Sequence, residues 1–452
     1  MPNYITILDF IILPFLLLIV YGVAYRYRDK KYPLKYKHPY RKYFIPALTL
    51  KITGAILIGL IYQYYYKGGD TFNFFRHSQI INSALPDSFI KWVNLLFRVP
   101  NETSLGYYEY IRYLTWYNDP SSYMVSSIAA FISIFFGTTY LPTAIIFALL
   151  SFSGSWAMFR AFAGIYPTFI RQLAIAILYL PSVIIWGSGI FKDTLCLASL
   201  GWLTHSVFQI MVKRNFSPLN IMTTIISLYL TYMIKPYILM AFIPALLIWI
   251  LFIYTRNIRN TAIKIIINLS FLFLTGFVTF YAINSLGEKY LGKYSMENIT
   301  KTAEVTRGWI SYASGDEGSA YDLGEAKSAA QMFTKLPLAV NVTLFRPYLW
   351  ESRKIIVLLS AIEAFVFLFL TLKVLYVVGV KKVWQTIAKD PTIQFCLIFT
   401  IIFAFAVGIT SYNFGALSRY KIPCLPFYAL SILLIYYKNV SAKRPLLKLI
   451  GI

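Results

Sequence analysis

The stretch ITILDFIILPFLLLIVYGVAY (residues 5–25), followed at once by RYRDKKYPLKYKHPYRKY (residues 26–43), decides the fold. The first part is apolar over a length that crosses a bilayer, which takes about 20 residues. The second carries eight basic side chains (Arg26, Arg28, Lys30, Lys31, Lys35, Lys37, Arg41 and Lys42) against one acid, Asp29. An apolar span closed by a basic loop places that loop in the cytoplasm. Residues 1–4 hold no basic side chain and no small-residue cleavage pattern follows the run, so it reads as a retained span rather than a cleaved signal.

Working outward, similar runs recur at 44–63, 139–159, 171–187, 191–212, 218–234, 236–255, 262–284, 354–373, 393–411 and 423–437. With 5–25 they predict about eleven transmembrane helices. The expected fold is therefore all-α and polytopic, N-terminus outside and C-terminus inside, a single integral-membrane domain over 1–452. The basic loops 160–171, 213–217, 256–261 and 374–392, with the C-terminal tail, then fall inside. The shorter apolar run 122–136 fits this alternation only as an interfacial or re-entrant helix that does not cross. Two long outer loops result, 64–138 and 285–353. The first has short helices expected around Ser88–Phe97 and Tyr107–Trp116.

Composition agrees. Hydrophobic residues make up 58% and charged residues 13%, with a mean hydropathy of +0.62. A soluble enzyme carries about twice that charged fraction, and 18% aromatics exclude a disordered basic chain. The net charge of +24 is what cytoplasmic loops and attraction to anionic lipid produce, with no need for nucleic acid. Three cysteines (Cys196, Cys396, Cys424) and three histidines (His38, His77, His205) are too scattered for a disulfide framework or a metal motif. No Walker loop, GxSxG elbow or dinucleotide fingerprint occurs.

Five polar clusters interrupt the apolar pattern, all on the expected outer face. Lys67-Gly68-Gly69-Asp70-Thr71, with Arg76 and His77, sets a carboxylate on a flexible glycine turn. Asp70 there is a candidate base, or equally a helix N-cap. Trp186–Thr194 brings Lys192 and Asp193 to the start of a span, where an anion would meet free N–H groups. Capping and snorkelling are the plainer alternatives. Lys235-Pro236-Tyr237 offers a cation at a helix junction. Leu344–Glu351 offers Arg346, able to hold phosphate in a bidentate manner, and Glu351 as an acid or an arginine partner. Tyr412–Pro423 offers Asn413, Arg419 and Lys421. Within the spans, Lys51 is a possible neutraliser of Asp9 or Glu363. Candidate catalytic residues are thus Asp70, Asp193 and Glu351. Candidate substrate-binding residues are Lys192, Lys235, Arg346, Arg419, Lys421, Arg76, His77 and Asn413. Several cations beside few acids suit an anionic group at the membrane surface, such as a lipid-linked diphosphate.

The GGDT turn, the WGSGIFKDT turn, FRPYLWE and NFGALSRYKIP, in this order, resemble the Wzy-like and EpsG-like bacterial polysaccharide polymerases of the wider GT-C glycosyltransferase class. The resemblance implies an undecaprenyl-diphosphate-linked glycan substrate at the outer face of the bacterial inner membrane. It implies Asp70 as base or metal contact, and Arg346 and Arg419 as diphosphate ligands. The first outer loop has no adjacent acidic pair, so no metal or other cofactor is assigned. Expected partners are the lipid-linked glycan, anionic membrane lipids and other envelope polysaccharide assembly proteins. Two other readings stand beside this one: a transporter or flippase for a lipid-linked or anionic substrate, and a non-catalytic envelope scaffold.

Overall fold

A computed structural model of the chain is all-α. It describes residues 3–101, 104–255, 320–324 and 329–440, with scattered positions between 258 and 308 and Leu446. Most of the expected span 262–284 and most of the loop 285–353 lie outside the described residues. Among the described residues, seven helices are long and apolar enough to cross a membrane, or eight if a pair bent by 70° counts as one span. By helix length and hydropathy this is a multi-pass membrane protein.

The expected eleven spans are therefore corrected. The run 171–187 is broken after Leu178, because Pro181 lacks the N–H a continuing helix needs, and becomes two helices too short to cross. The run 218–234 is a helix of 17 residues, one of the shorter apolar helices and at the lower end of the roughly 17–25 residues that span a bilayer. The last run, 423–437, forms the second limb of the bent pair, its start shifted to Leu425.

The chain forms two compact units, Met1–Ile170 with Val183–Lys235, and Arg171–Ser182 with Pro236–Ile452. In the first unit, α1 (Ile7–Lys31) and α2 (Arg41–Leu60, prolonged by a π-turn over Ile61–Tyr65) are followed by four shorter helices. These are α3 (Asp70–Asn82), α4 (Phe89–Leu96), α5 (Tyr108–Ile111) and α6 (Pro120–Ser133); then comes α7 (Tyr140–Ile165). The helix expected to reach Trp116 thus stops at Ile111. Nearly all of α8 (Ile170–Leu178) and the start of α9 (Pro181–Trp186) belong to the second unit, and the chain rejoins the first at Val183, continuing into α10 (Lys192–Val207, extended by a π-turn over Phe208–Val212) and α11 (Pro218–Ile234).

Helices α1 and α7 run parallel. Near their starts the Asp9 carboxylate accepts the Leu141 N–H at 2.6 Å; near their ends Trp156 donates to the Tyr32 hydroxyl at 2.9 Å. The end of α2 meets the start of α7, since Gly59 packs on Tyr140 and Leu141. Residues 66–139 therefore leave and rejoin the long helices at the same end. They form a small layer with its own core of Ile81, Trp92, Leu95, Tyr110, Leu114 and Tyr123. Asn82 ties that layer together, donating to the Ala130 carbonyl and Ser133 Oγ at 3.0 Å each and accepting from Trp92 Nε1 at 3.0 Å. Helices α7 and α10 pack through glycine: a Cβ on Gly201 would lie 2.1 Å from the Gly154 carbonyl oxygen.

The second unit contains α12 (Pro236–Thr255), α13 (Ala329–Thr334), α14 (Leu336–Phe345), α15 (Ile355–Val378) and α16 (Val380–Lys389). It ends with α17 (Pro391–Ser411), α18 (Phe414–Tyr420) and α19 (Leu425–Asn439). Aromatic rings dominate its core: Phe242, Phe395, Phe399 and Phe427 meet at centroid distances of 4.8 to 6.1 Å, geometry that favours edge-to-face pairs.

Candidate functional site

In the first unit, Lys67, Gly68 and Gly69 all take positive φ (55°, 143° and 124°), which glycine adopts at little cost. This sharp turn starts α3 at Asp70, a partly exposed first-turn acid where the helix N-terminus favours negative charge. Arg76 is exposed on the same helix, whereas His77 is buried. The His77 ring bonds the Thr115 hydroxyl at 3.1 Å and sits edge-on to Trp116. Burial, with help from Arg76, pushes its pKa down to about 4. His77 is therefore a neutral core side chain of the layer, next to Arg76 in sequence but not beside it in exposure.

Lys192 and Asp193 open α10, and their side chains part. Lys192 donates to Ser121 Oγ at 2.5 Å and to Asp119 Oδ2 at 3.3 Å. Burial alone would raise the Asp119 carboxyl, but the Ser122 hydroxyl and the Lys192 ammonium outweigh it and pull the pKa down to about 2. Asp193 is fully buried and forms an ion pair with the nearly buried Lys235. Asp193, expected as a catalytic candidate, and Lys235, expected as a substrate-binding one, are thus each other's partners, an arrangement that compensates the cost of burying both charges. Asp119 and Ser121 were not among the sequence candidates. The signal was the Asp119-Pro120 step, an N-cap followed by proline at the first helical position.

Neither buried charge of the long helices pairs with the other. Lys51 places its three donors on Val183 O (2.8 Å), Gly187 O (3.0 Å) and Ser151 Oγ (3.0 Å). Asp9 accepts from Thr6 and Leu141. In the second unit Glu363 accepts from the backbone N–H of Ser182 at 3.2 Å and from its hydroxyl.

In the second unit Arg346, Glu351 and Lys421 are in contact, and Asn413 and Arg419 lie on the adjoining helix α18. Arg346 follows α14, and its guanidinium grips Glu351 through Nε, 3.1 and 3.0 Å from the two carboxylate oxygens, and through a terminal nitrogen. Glu351 also accepts the Tyr348 N–H at 2.8 Å. Burial opposes the charge on Glu351, but Arg346 and that N–H prevail and lower its pKa; Glu351 in turn raises that of Arg346. The guanidinium lies 5.2 Å from the Phe414 ring, 5.6 Å from Tyr348 and 6.0 Å from Tyr321, within cation–π range. Tyr348 stacks on Trp350 at 5.0 Å, and Trp350 is 82% exposed. Lys421, buried, donates to the Arg346 carbonyl at 3.3 Å. Asn413 caps α18, accepting from Gly415 and Ala416 at 2.6 and 3.3 Å. Arg419, in the last turn of α18, sits over the ring of the adjacent Tyr420. Tyr321, which donates to the Gly408 carbonyl at 2.8 Å, is a wall of this cluster that sequence reading missed; its position far ahead in the chain carried no signal.

Among the described residues, no group of three His, Cys, Asp or Glu side chains is placed to hold a metal ion. No family model matches the chain, and neither a curated protein nor a solved structure matches it.

Proposed function

We propose that the chain is an integral-membrane glycosyltransferase, a polysaccharide polymerase acting on an undecaprenyl-diphosphate-linked glycan at the outer face of the bacterial inner membrane. The observation that carries this reading is the Arg346 cluster. A guanidinium is oriented by Glu351 and walled by Phe414, Tyr348 and Tyr321, and it lies beside a Tyr348–Trp350 stack whose outer ring is open. A preorientated cation stabilises the charge a departing diphosphate develops, and open aromatic faces suit the apolar faces of sugar rings.

In this reading an acceptor hydroxyl oxygen attacks the anomeric carbon and forms the new glycosidic bond. The bond from that carbon to the diphosphate oxygen breaks, and the lipid diphosphate leaves with the electron pair beside Arg346 and Arg419. The hydroxyl proton passes to a general base. Glu351 holds Arg346 in place, and a carboxylate with a lowered pKa is a weak base. Asp193 is likewise occupied by Lys235.

Lipid-linked intermediates in a deletion strain test the reading. Accumulated single repeat units support a polymerase. A truncated unit indicates a single-sugar transferase, and complete polymer held on lipid indicates a ligase. A defect in export with no covalent change indicates a flippase. Normal product from charge variants, with harm only on deletion, indicates a scaffold.

A further inference from the structure

Helix α16 joins the end of α15 to the start of α17, two long apolar helices, so it lies where two spans meet the membrane boundary. Gly379, at φ +82°, separates it from α15. At the other end Asp390 caps α17, accepting from Thr392 and Ile393 at 2.9 and 3.2 Å, and pairs with Lys438. At 100° per residue its ten residues divide cleanly. Val380, Val383, Trp384, Ile387 and Ala388 occupy one arc; Lys381, Lys382, Gln385, Thr386 and Lys389 occupy the other.

The apolar arc is only half used by the protein. Val383 and Ile387 are partly buried, and on the same flank Thr386 accepts from Asn439 at 2.8 Å. Val380 and Trp384 are 70% and 71% exposed, and Tyr376, at the end of α15, is 90% exposed. The three lysines are exposed as well. An open Val–Trp edge flanked by lysines, at the rim of two spans, has the pattern of a helix that lies in the headgroup layer. Tryptophan favours that depth, and lysines there attract anionic lipid.

We infer that α16 is a docking site for anionic phospholipid: Val380 and Trp384 enter the boundary between headgroups and acyl chains, and Lys381, Lys382 and Lys389 hold lipid phosphates. The charge of the lysines selects this occupant over a second copy of the chain, whose α16 would bring the same charges together. The inference does not depend on the reaction proposed above.

The test uses the full chain in nanodiscs of phosphatidylcholine with or without phosphatidylglycerol. Trp384 is read as the fluorescence difference between the wild type and Trp384→Phe. The expected results are quenching of Trp384 by lipids brominated near the glycerol, and enrichment of phosphatidylglycerol around the protein by native mass spectrometry. That enrichment should fall roughly tenfold in the Lys381→Gln, Lys382→Gln, Lys389→Gln variant. Elution profiles confirm that the variants fold. Quenching of Trp384 by aqueous iodide but not by bromolipid would overturn the inference. So would unchanged lipid selectivity in the triple variant, or a dimer that Trp384→Glu dissolves.

Discussion

The Lys51 ammonium donates to the Val183 carbonyl at 2.8 Å, and it also serves Gly187 and Ser151. A cation on carbonyls at the C-terminal end of α9 meets the negative pole of that helix and occupies every donor of the ammonium. Lys51→Met keeps the length of the side chain but strands two carbonyls. Losing these bonds costs about 2 kcal/mol. The purified protein should therefore aggregate at a lower temperature, by roughly a few degrees, with Lys51→Arg intermediate. Fluorescence-detected size exclusion after heating measures this. An unchanged midpoint for Lys51→Met would show that the contacts contribute nothing net.

The Asp119–Lys192 pair carries a pH signature. The folded pKa of Asp119, about 2, lies below its ordinary value of 3.8. A depressed acid contributes stability that is fully present above the ordinary value and is lost as pH falls through the folded one. The pair should therefore loosen between about pH 4 and pH 2. Asp119 is 48% exposed, so screening leaves at most about 1 kcal/mol. Hydrogen exchange over the first turns of α6 should accelerate in that window beyond its intrinsic pH trend. Asp119→Asn should already be fast at neutral pH and show no such step.

The sequence made the membrane class legible through hydropathy, because each long span is a local property of some 20 residues. The span count failed where crossing depends on more than composition. In 171–187 a proline breaks the helix, and 423–437 becomes one limb of a bent pair. Cluster residues close in sequence, such as Arg346 and Glu351, were found because one turn holds them together. Partners far apart were not: Asp193 with Lys235, Asp119 with Lys192, and Tyr321 beside Arg346 are juxtapositions set by helix packing, which periodicity does not encode. His77 looked functional because Arg76 is its neighbour in sequence, yet adjacent residues on a helix point about 100° apart.

The Arg346–Glu351 grip makes the proposed function sensitive to charge geometry as well as charge. Removing a preorganised stabiliser of a leaving anion costs on the order of a hundredfold in rate or more. Arg346→Ala should therefore abolish detectable polymer and accumulate single repeat units at unchanged protein level. Arg346→Lys should keep partial function, because lysine keeps the charge but loses the two-pronged contact to Glu351. Glu351→Gln should resemble Arg346→Lys rather than Arg346→Ala. Polymer length and lipid-linked intermediates on gels measure all three. Normal polymer in Arg346→Ala would end the reading.

The α7–α10 crossing predicts a sterically defined lesion. A methyl group on Gly201 would stand 2.1 Å from the Gly154 carbonyl oxygen, and one on Gly154 would stand 2.2 Å from the Ala198 carbonyl oxygen. Both obstacles are backbone, so no rotamer change relieves them and the helices must separate. Small residues allow close backbone approach between membrane helices, where packing rather than the hydrophobic effect holds them together. Gly201→Ala and Gly154→Ala should each destabilise the first unit by about 1 to 3 kcal/mol. The double variant should cost less than the sum, because one separation accommodates both methyl groups. Denaturant titration of the purified protein, followed by Trp202 fluorescence in variants lacking other tryptophans, supplies the cycle. Full additivity would show that the two glycines do not share one contact.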